Sequence, residues 1–80
     1  MGYIDSLNSL KRDIANGTVH IEMAGGTYTF SGKTYAHKDF LKAELRGTDF
    51  RFDRDTKTWK VSEASMYDAD KAFIAELIQA

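Results

Sequence analysis

The chain predicts a small α+β fold with elements in the order α-β-β-α-β-β-α, and three observations carry that expectation. Apolar residues recur at helical spacing near both ends and once in the middle of the chain. Two pairs of short segments between them alternate apolar with polar residues, as half-buried strands do. Each pair is joined by residues that favour turns, so the strands should form two hairpins in one antiparallel four-stranded sheet with the helices packed on it. Because the chain contains no proline, glycine is the main punctuation between these pieces.

From Tyr3 to Ala15, the residues Tyr3, Leu7, Leu10 and Ile14, with Ile4 beside them, form one apolar stripe. Asn16-Gly17 should end that helix, glycine supplying the left-handed cap conformation without steric cost. Val19, Ile21 and Met23 then alternate with His20 and Glu22. After Ala24-Gly25-Gly26, Tyr28 and Phe30 alternate with Thr27, Thr29 and Ser31, completing the first hairpin. The segment AHKDFLKAELR carries Phe40, Leu41 and Leu45 on one side and Lys38, Lys42 and Arg46 on the other, which predicts a short amphipathic helix closed by Gly47. Phe50 and Phe52 within Asp49–Asp53, and Trp59 and Val61 within Thr58–Val61, belong to a second hairpin turned by Arg54-Asp55-Thr56-Lys57. A last helix over about residues 66–79 is expected to be capped by Ser65, favoured by Asp68 and Asp70 in its first turn, and buried through Phe73, Ile74, Leu77 and Ile78.

Eighty residues predict one domain, 1–80, burying about 60–65% of the surface its unfolded chain exposes. That leaves little room for a deep catalytic cleft. The absence of cysteine excludes disulfides and thiolate metal sites. No apolar run reaches the roughly 20 residues needed to span a bilayer, and the start of the chain mixes charge with apolar residues, so a cytoplasmic protein is expected. A net charge of −1 gives no general attraction to nucleic acid. The charge is nevertheless uneven: between Lys33 and Lys60 eight basic residues face five acidic ones, a local excess of three.

The middle of the chain resembles a known module. Gly32-Lys33-Thr34-Tyr35, Lys38-Asp39, Leu41-Lys42-Ala43, Gly47, Phe50-Arg51-Phe52-Asp53 and Thr56-Lys57-Thr58-Trp59-Lys60-Val61 together resemble the HARP domain of annealing helicases. They look still more like small modules attached to phage and plasmid primases and conjugation proteins. The resemblance covers residues 28–61 and departs from the pattern at Leu45-Arg46-Gly47-Thr48, where those modules have a Leu-Gly step. It implies a module that contacts nucleic acid or its processing machinery without catalysing a reaction.

Candidate chemistry is sparse. Gly32-Lys33-Thr34 echoes the end of a phosphate-binding loop but lacks the upstream glycine, so no nucleotide cofactor is expected. His20 and His37 lack metal-ligand spacing, and Asp49, Asp53 and Asp55 read more simply as Asx turns than as a Mg²⁺ cluster. No nucleophile-and-base set can be assembled, so no catalytic, metal or cofactor-binding residue is assigned. Alternation puts Tyr28, Phe30, Phe50, Phe52 and Trp59 on one sheet face, where core packing outweighs a role as a base-stacking platform. His20, Glu22, Thr27, Thr29, Arg51, Thr58 and Lys60 fall on the other, more available face.

These readings lead to a small non-enzymatic binding protein of phage or mobile-element type. It would dock on a protein of the nucleic-acid-processing or defence machinery and inhibit or modulate it, as anti-CRISPR proteins do. Direct nucleic-acid binding through one basic stripe (Lys38, Lys42, Arg46, Arg51, Arg54, Lys57, Lys60) is the rival expectation. Glu63, Asp68 and Asp70 complete the candidate partner-binding set as an acidic surface that imitates phosphate, with Glu76 nearby and only Lys71 opposing them. A dimerisation module, pairing through the apolar side of the first helix, is a third expectation.

Overall fold

The computed structural model describes residues 2–78. Helix α1 (Tyr3–Ala15) leads into strands β1 (Val19–Ala24) and β2 (Thr27–Gly32). A 3₁₀ turn (Tyr35–His37) and helix α2 (Lys38–Glu44) follow, then β3 (Arg51–Asp53) and β4 (Thr58–Ser62). A second 3₁₀ turn (Glu63–Ser65) and helix α3 (Asp68–Ile78) complete the order. The expected α+β class and the α-β-β-α-β-β-α order are therefore both present.

The four strands form one antiparallel sheet in the order β1-β2-β4-β3, so the two hairpins meet where β2 pairs with β4. Ile21 lies opposite Phe30, Phe30 opposite Trp59, and Trp59 opposite Phe52, which places one row of apolar side chains on a common face. All three helices cover that face. Leu7 and Leu10 of α1, Leu41 of α2, and Phe73, Ile74 and Leu77 of α3 join Val19, Phe30, Trp59 and Val61 in one buried cluster. The apolar stripe of α1 is thus spent on the chain's own sheet, although Tyr3 and Ile4 at its start remain exposed.

Two connections hold the helices in register. The end of α1 is a Schellman cap, in which Thr18 N–H donates to Asp13 C=O at 2.8 Å and Gly17 N–H to Ile14 C=O at 3.2 Å. Gly17 takes the φ of 82° that this cap requires. Gly32 meets a tighter condition at the end of β2. Its φ is 87°, and a Cβ there would overlap the Thr18 carbonyl oxygen, which accepts Lys33 N–H at 3.0 Å. The Thr18 loop and the start of the Lys33–His37 segment are therefore clamped together.

Several details correct the sequence reading. Helix α3 begins at Asp68, and Ser65 does not cap it: Tyr67 N–H donates to the Asp70 carboxylate at 2.9 Å, the reciprocal half of a capping box. Asp70 is only 8% exposed, its carboxylate engaged by this cap. Ile78 is exposed, because the buried side of α3 runs through Phe73, Ile74 and Leu77. Residue 79, in the expected helix, lies outside the described residues. Phe52 faces the core side of the sheet yet stays 45% exposed, since β3 is a three-residue edge strand that the helices do not reach over.

Candidate binding groove and its basic rim

The five aromatic residues expected on one sheet face are graded by burial. Phe30 and Trp59 are buried, Tyr28 and Phe50 are half-buried, and Phe52 is exposed. Phe50 stacks on Trp59 with ring centroids 4.9 Å apart and planes 10° apart, while its edge meets Phe30 at 5.9 Å. Phe52 approaches Trp59 in a T-shaped arrangement at 5.1 Å. Four of the five aromatics thus serve the core as expected, and the fifth is released to the surface at the sheet edge.

Tyr35 lines the same groove as Phe52. It sits in the 3₁₀ turn before α2 and is 81% exposed. The groove they share, of about 670 Å³, is lined by residues 32–36 and by Lys38, Phe52 and Trp59. Trp59, itself buried, belongs to the lining, and Tyr35 and Phe52 contribute exposed rings. Cations stand along this groove: the Lys38 ammonium lies over the Tyr35 ring at 5.0 Å and the Lys42 ammonium over the Trp59 ring at 5.2 Å. Lys33 is exposed and belongs to the lining. Asp39, 3.2 Å from the Lys38 ammonium, is the acid nearest to this rim among the described ion pairs, and it points into solvent.

Two polar clusters hold the walls in place. The Tyr35–His37 turn is anchored from below by His37, whose buried ring nitrogen Nε2 lies 2.6 Å from the Asp13 carboxylate of α1. The second wall is anchored at the entrance to β3. There the Asp49 carboxylate accepts the Ser62 hydroxyl, the Ser62 backbone N–H at 2.7 Å and the Ser65 hydroxyl at 3.0 Å. The Ser62 hydroxyl, then the Ser62 amide, hold the Asp49 carboxyl below the ordinary carboxylate range. Asp49 is therefore a clamp between the two strands of the hairpin, not an Asx turn. Asp53 does make the expected Asx turn, accepting Asp55 N–H at 3.0 Å.

The predicted basic stripe is divided by the sheet. Lys38 and Lys42 stand on the groove side. Arg51 and Lys60, opposite each other on β3 and β4, emerge on the open face, where Lys60 reaches toward Thr29 at 3.5 Å and Arg51 pairs with Asp49 at 3.4 Å. Arg54 and Lys57 occupy the exposed tip of the hairpin, and Arg46 is exposed just beyond α2. The cations thus surround the β3 edge without forming one continuous line. The acidic surface shrinks as well. Asp70 is buried as a cap and Glu63 is half-buried; Asp68 is exposed, as is Glu76, which pairs with Lys11 at 3.5 Å. Among the described residues no group of three or more His, Asp or Glu side chains has metal-binding geometry. No described helix is long and apolar enough to cross a membrane.

Comparison with protein-family models, with curated proteins and with solved structures finds no match to this chain.

The sequence carries one weak signal for the groove: Tyr35 belongs to neither the expected hairpins nor the expected helix, while the five-residue alternation of Asp49–Asp53 conceals that β3 spans only Arg51–Asp53. That Tyr35 and Phe52 line one groove with Trp59 depends on the β2–β4 pairing, a long-range event that spacing along the chain does not encode.

Proposed function

We propose that the chain is a small non-enzymatic binding module of nucleic-acid-handling systems, of the phage or mobile-element kind, and that it works by contacting a nucleic-acid strand on the groove side of the β3–β4 hairpin. The observation that carries this reading is the convergence of Lys33, Lys38 and Lys42 around the aromatic groove of Tyr35, Phe52 and Trp59. Cations beside exposed aromatic rings suit a polyanion with flat bases, because phosphates meet the ammonium groups while bases meet the rings. The resemblance of residues 28–61 to modules of primases and helicases points the same way.

A titration against labelled single- and double-stranded DNA and RNA at low and at physiological salt tests this function. Three phosphate contacts on a single strand should give a slope of log affinity against log salt of roughly −2. No binding to any of the four at low salt would overturn the reading.

A second reading, a protein-docking inhibitor of the anti-CRISPR type, is favoured by a different surface. Tyr67 is 72% exposed at the start of α3 next to exposed Asp68, an aromatic of the kind that anchors protein interfaces. Loss of a protein partner's binding on Tyr67→Ala, with nucleic-acid binding absent, would establish this reading over the first.

A further inference from the structure

We infer that the groove is a nucleobase pocket, specific for unpaired nucleic acid, in which one base packs against the exposed rings of Tyr35 and Phe52. This rests on the nucleic-acid reading above and adds to it a strand preference and a defined set of contacts. The groove's volume of about 670 Å³ falls within the range of small-molecule sites. Three of its lining residues are aromatic, and two of these, Tyr35 and Phe52, are exposed. Tyr35 and Phe52 present exposed rings to this open apolar groove, and every base offers a π-face that stacks on such rings.

Charge complementarity fixes the class of occupant. Polar chemistry at the rim comes from Lys33 and Lys38, with Lys42 at the Trp59 ring, and no carboxylate is among the lining residues. A base in the groove would carry its flanking phosphates past these ammonium groups. A helical peptide fits poorly, because such a partner needs apolar anchors repeated over several turns and this groove is one short slot. A paired duplex fits no better: its bases are stacked away from solvent, and extruding one costs a few kcal/mol. The preference for single strands follows from that cost.

Trp59 is the only tryptophan of the chain, so its fluorescence reports this groove directly. The full chain is titrated with oligothymidylate and with a blunt duplex of the same length, following Trp59 emission and the anisotropy of a labelled strand. The expected result is quenching by the single strand and at least tenfold weaker binding of the duplex. Tyr35→Ala and Phe52→Ala should each weaken single-strand binding by roughly tenfold or more, while Met23→Ala, exposed on β1 at the opposite edge of the sheet, changes nothing. Thermal melts of the variants show that they remain folded, Tyr35→Ala being the safer since its ring lies almost wholly in solvent. Equal affinity for strand and duplex, with no quenching and no effect of Tyr35→Ala, overturns the base pocket while leaving nucleic-acid binding intact. Absence of binding by either probe overturns both.

Discussion

Replacing Gly32 with alanine should lower the melting temperature far more than the same change at Gly17, although both glycines have the same left-handed backbone, with φ of 87° and 82°. An L-residue in that conformation costs about 1–2 kcal/mol, and alanine returns about 0.4–1 kcal/mol by restricting the unfolded chain. At Gly17 a new Cβ meets nothing within 4 Å, so the net cost there should stay near 1 kcal/mol. At Gly32 the Cβ would overlap the Thr18 carbonyl oxygen and lie 3.2 Å from its carbon. The two segments must separate, and the Lys33 N–H to Thr18 C=O bond of 3.0 Å is lost or stretched. A hydrogen bond broken in this way adds about 1–3 kcal/mol, for a total of roughly 2–4 kcal/mol. With about 4–8 °C per kcal/mol for a domain of this size, Gly32→Ala should melt some 10–25 °C below the native protein and Gly17→Ala about 5 °C below it. Thermal melts followed by circular dichroism measure both. Equal shifts in the two variants would refute the claim that close backbone approach, and not φ alone, makes Gly32 obligatory and fixes the start of the groove wall.

Three further outcomes follow from the polar anchors. Asp70→Ala removes the carboxylate that receives Tyr67 N–H and should cost about 0.5–2 kcal/mol in urea unfolding, whereas Asp68→Ala, exposed beside it, should cost less. Asp13→Ala strips buried His37 of its partner and should cost about 1–3 kcal/mol, with weaker binding in the groove because the Tyr35 turn loses its anchor. The folded-state pKa of Asp49 is depressed, so its contribution to stability is present above the unfolded carboxylate value of about 3.9 and is lost as pH falls through the lower folded value. The stability difference between the native protein and Asp49→Asn should be constant from about pH 5 upward and shrink below about pH 4; a gap that widened in acid would contradict this assignment.

What the sequence conveyed and what it hid divide along the range of the interactions. The hairpins were legible because Val19-Ile21 and Tyr28-Phe30, then Phe50-Phe52 and Trp59-Val61, alternate with polar residues around turn formers. Gly17 was legible as a helix stop because a Schellman cap is a local motif. The Asp13–His37 pair spans 24 positions, and the Asp49–Ser62 clamp spans 13, so no periodicity announces either. Asp70 was misread because an acid in a first helical turn serves the helix dipole whether it faces water or folds back onto its own cap. The basic residues were counted correctly, yet their grouping was not: β-strand alternation sends Arg51 and Lys60 to the face opposite Lys38 and Lys42. Phe52 obeyed its alternation and still emerged into solvent, since a strand's facing says nothing about whether a helix extends far enough to cover it.

The central claim is that the groove side of the hairpin, and not the open sheet face, meets the partner. The most direct measurement compares single-strand affinity for two double variants at physiological salt, Lys33→Glu with Lys38→Glu and Arg51→Glu with Lys60→Glu, both confined to partly or fully exposed side chains whose charges add little to stability. The account predicts that reversing the groove-side pair abolishes binding, while reversing the open-face pair lowers it only modestly through the general field. Binding that survives in the groove-side variant and disappears in the open-face variant would contradict it.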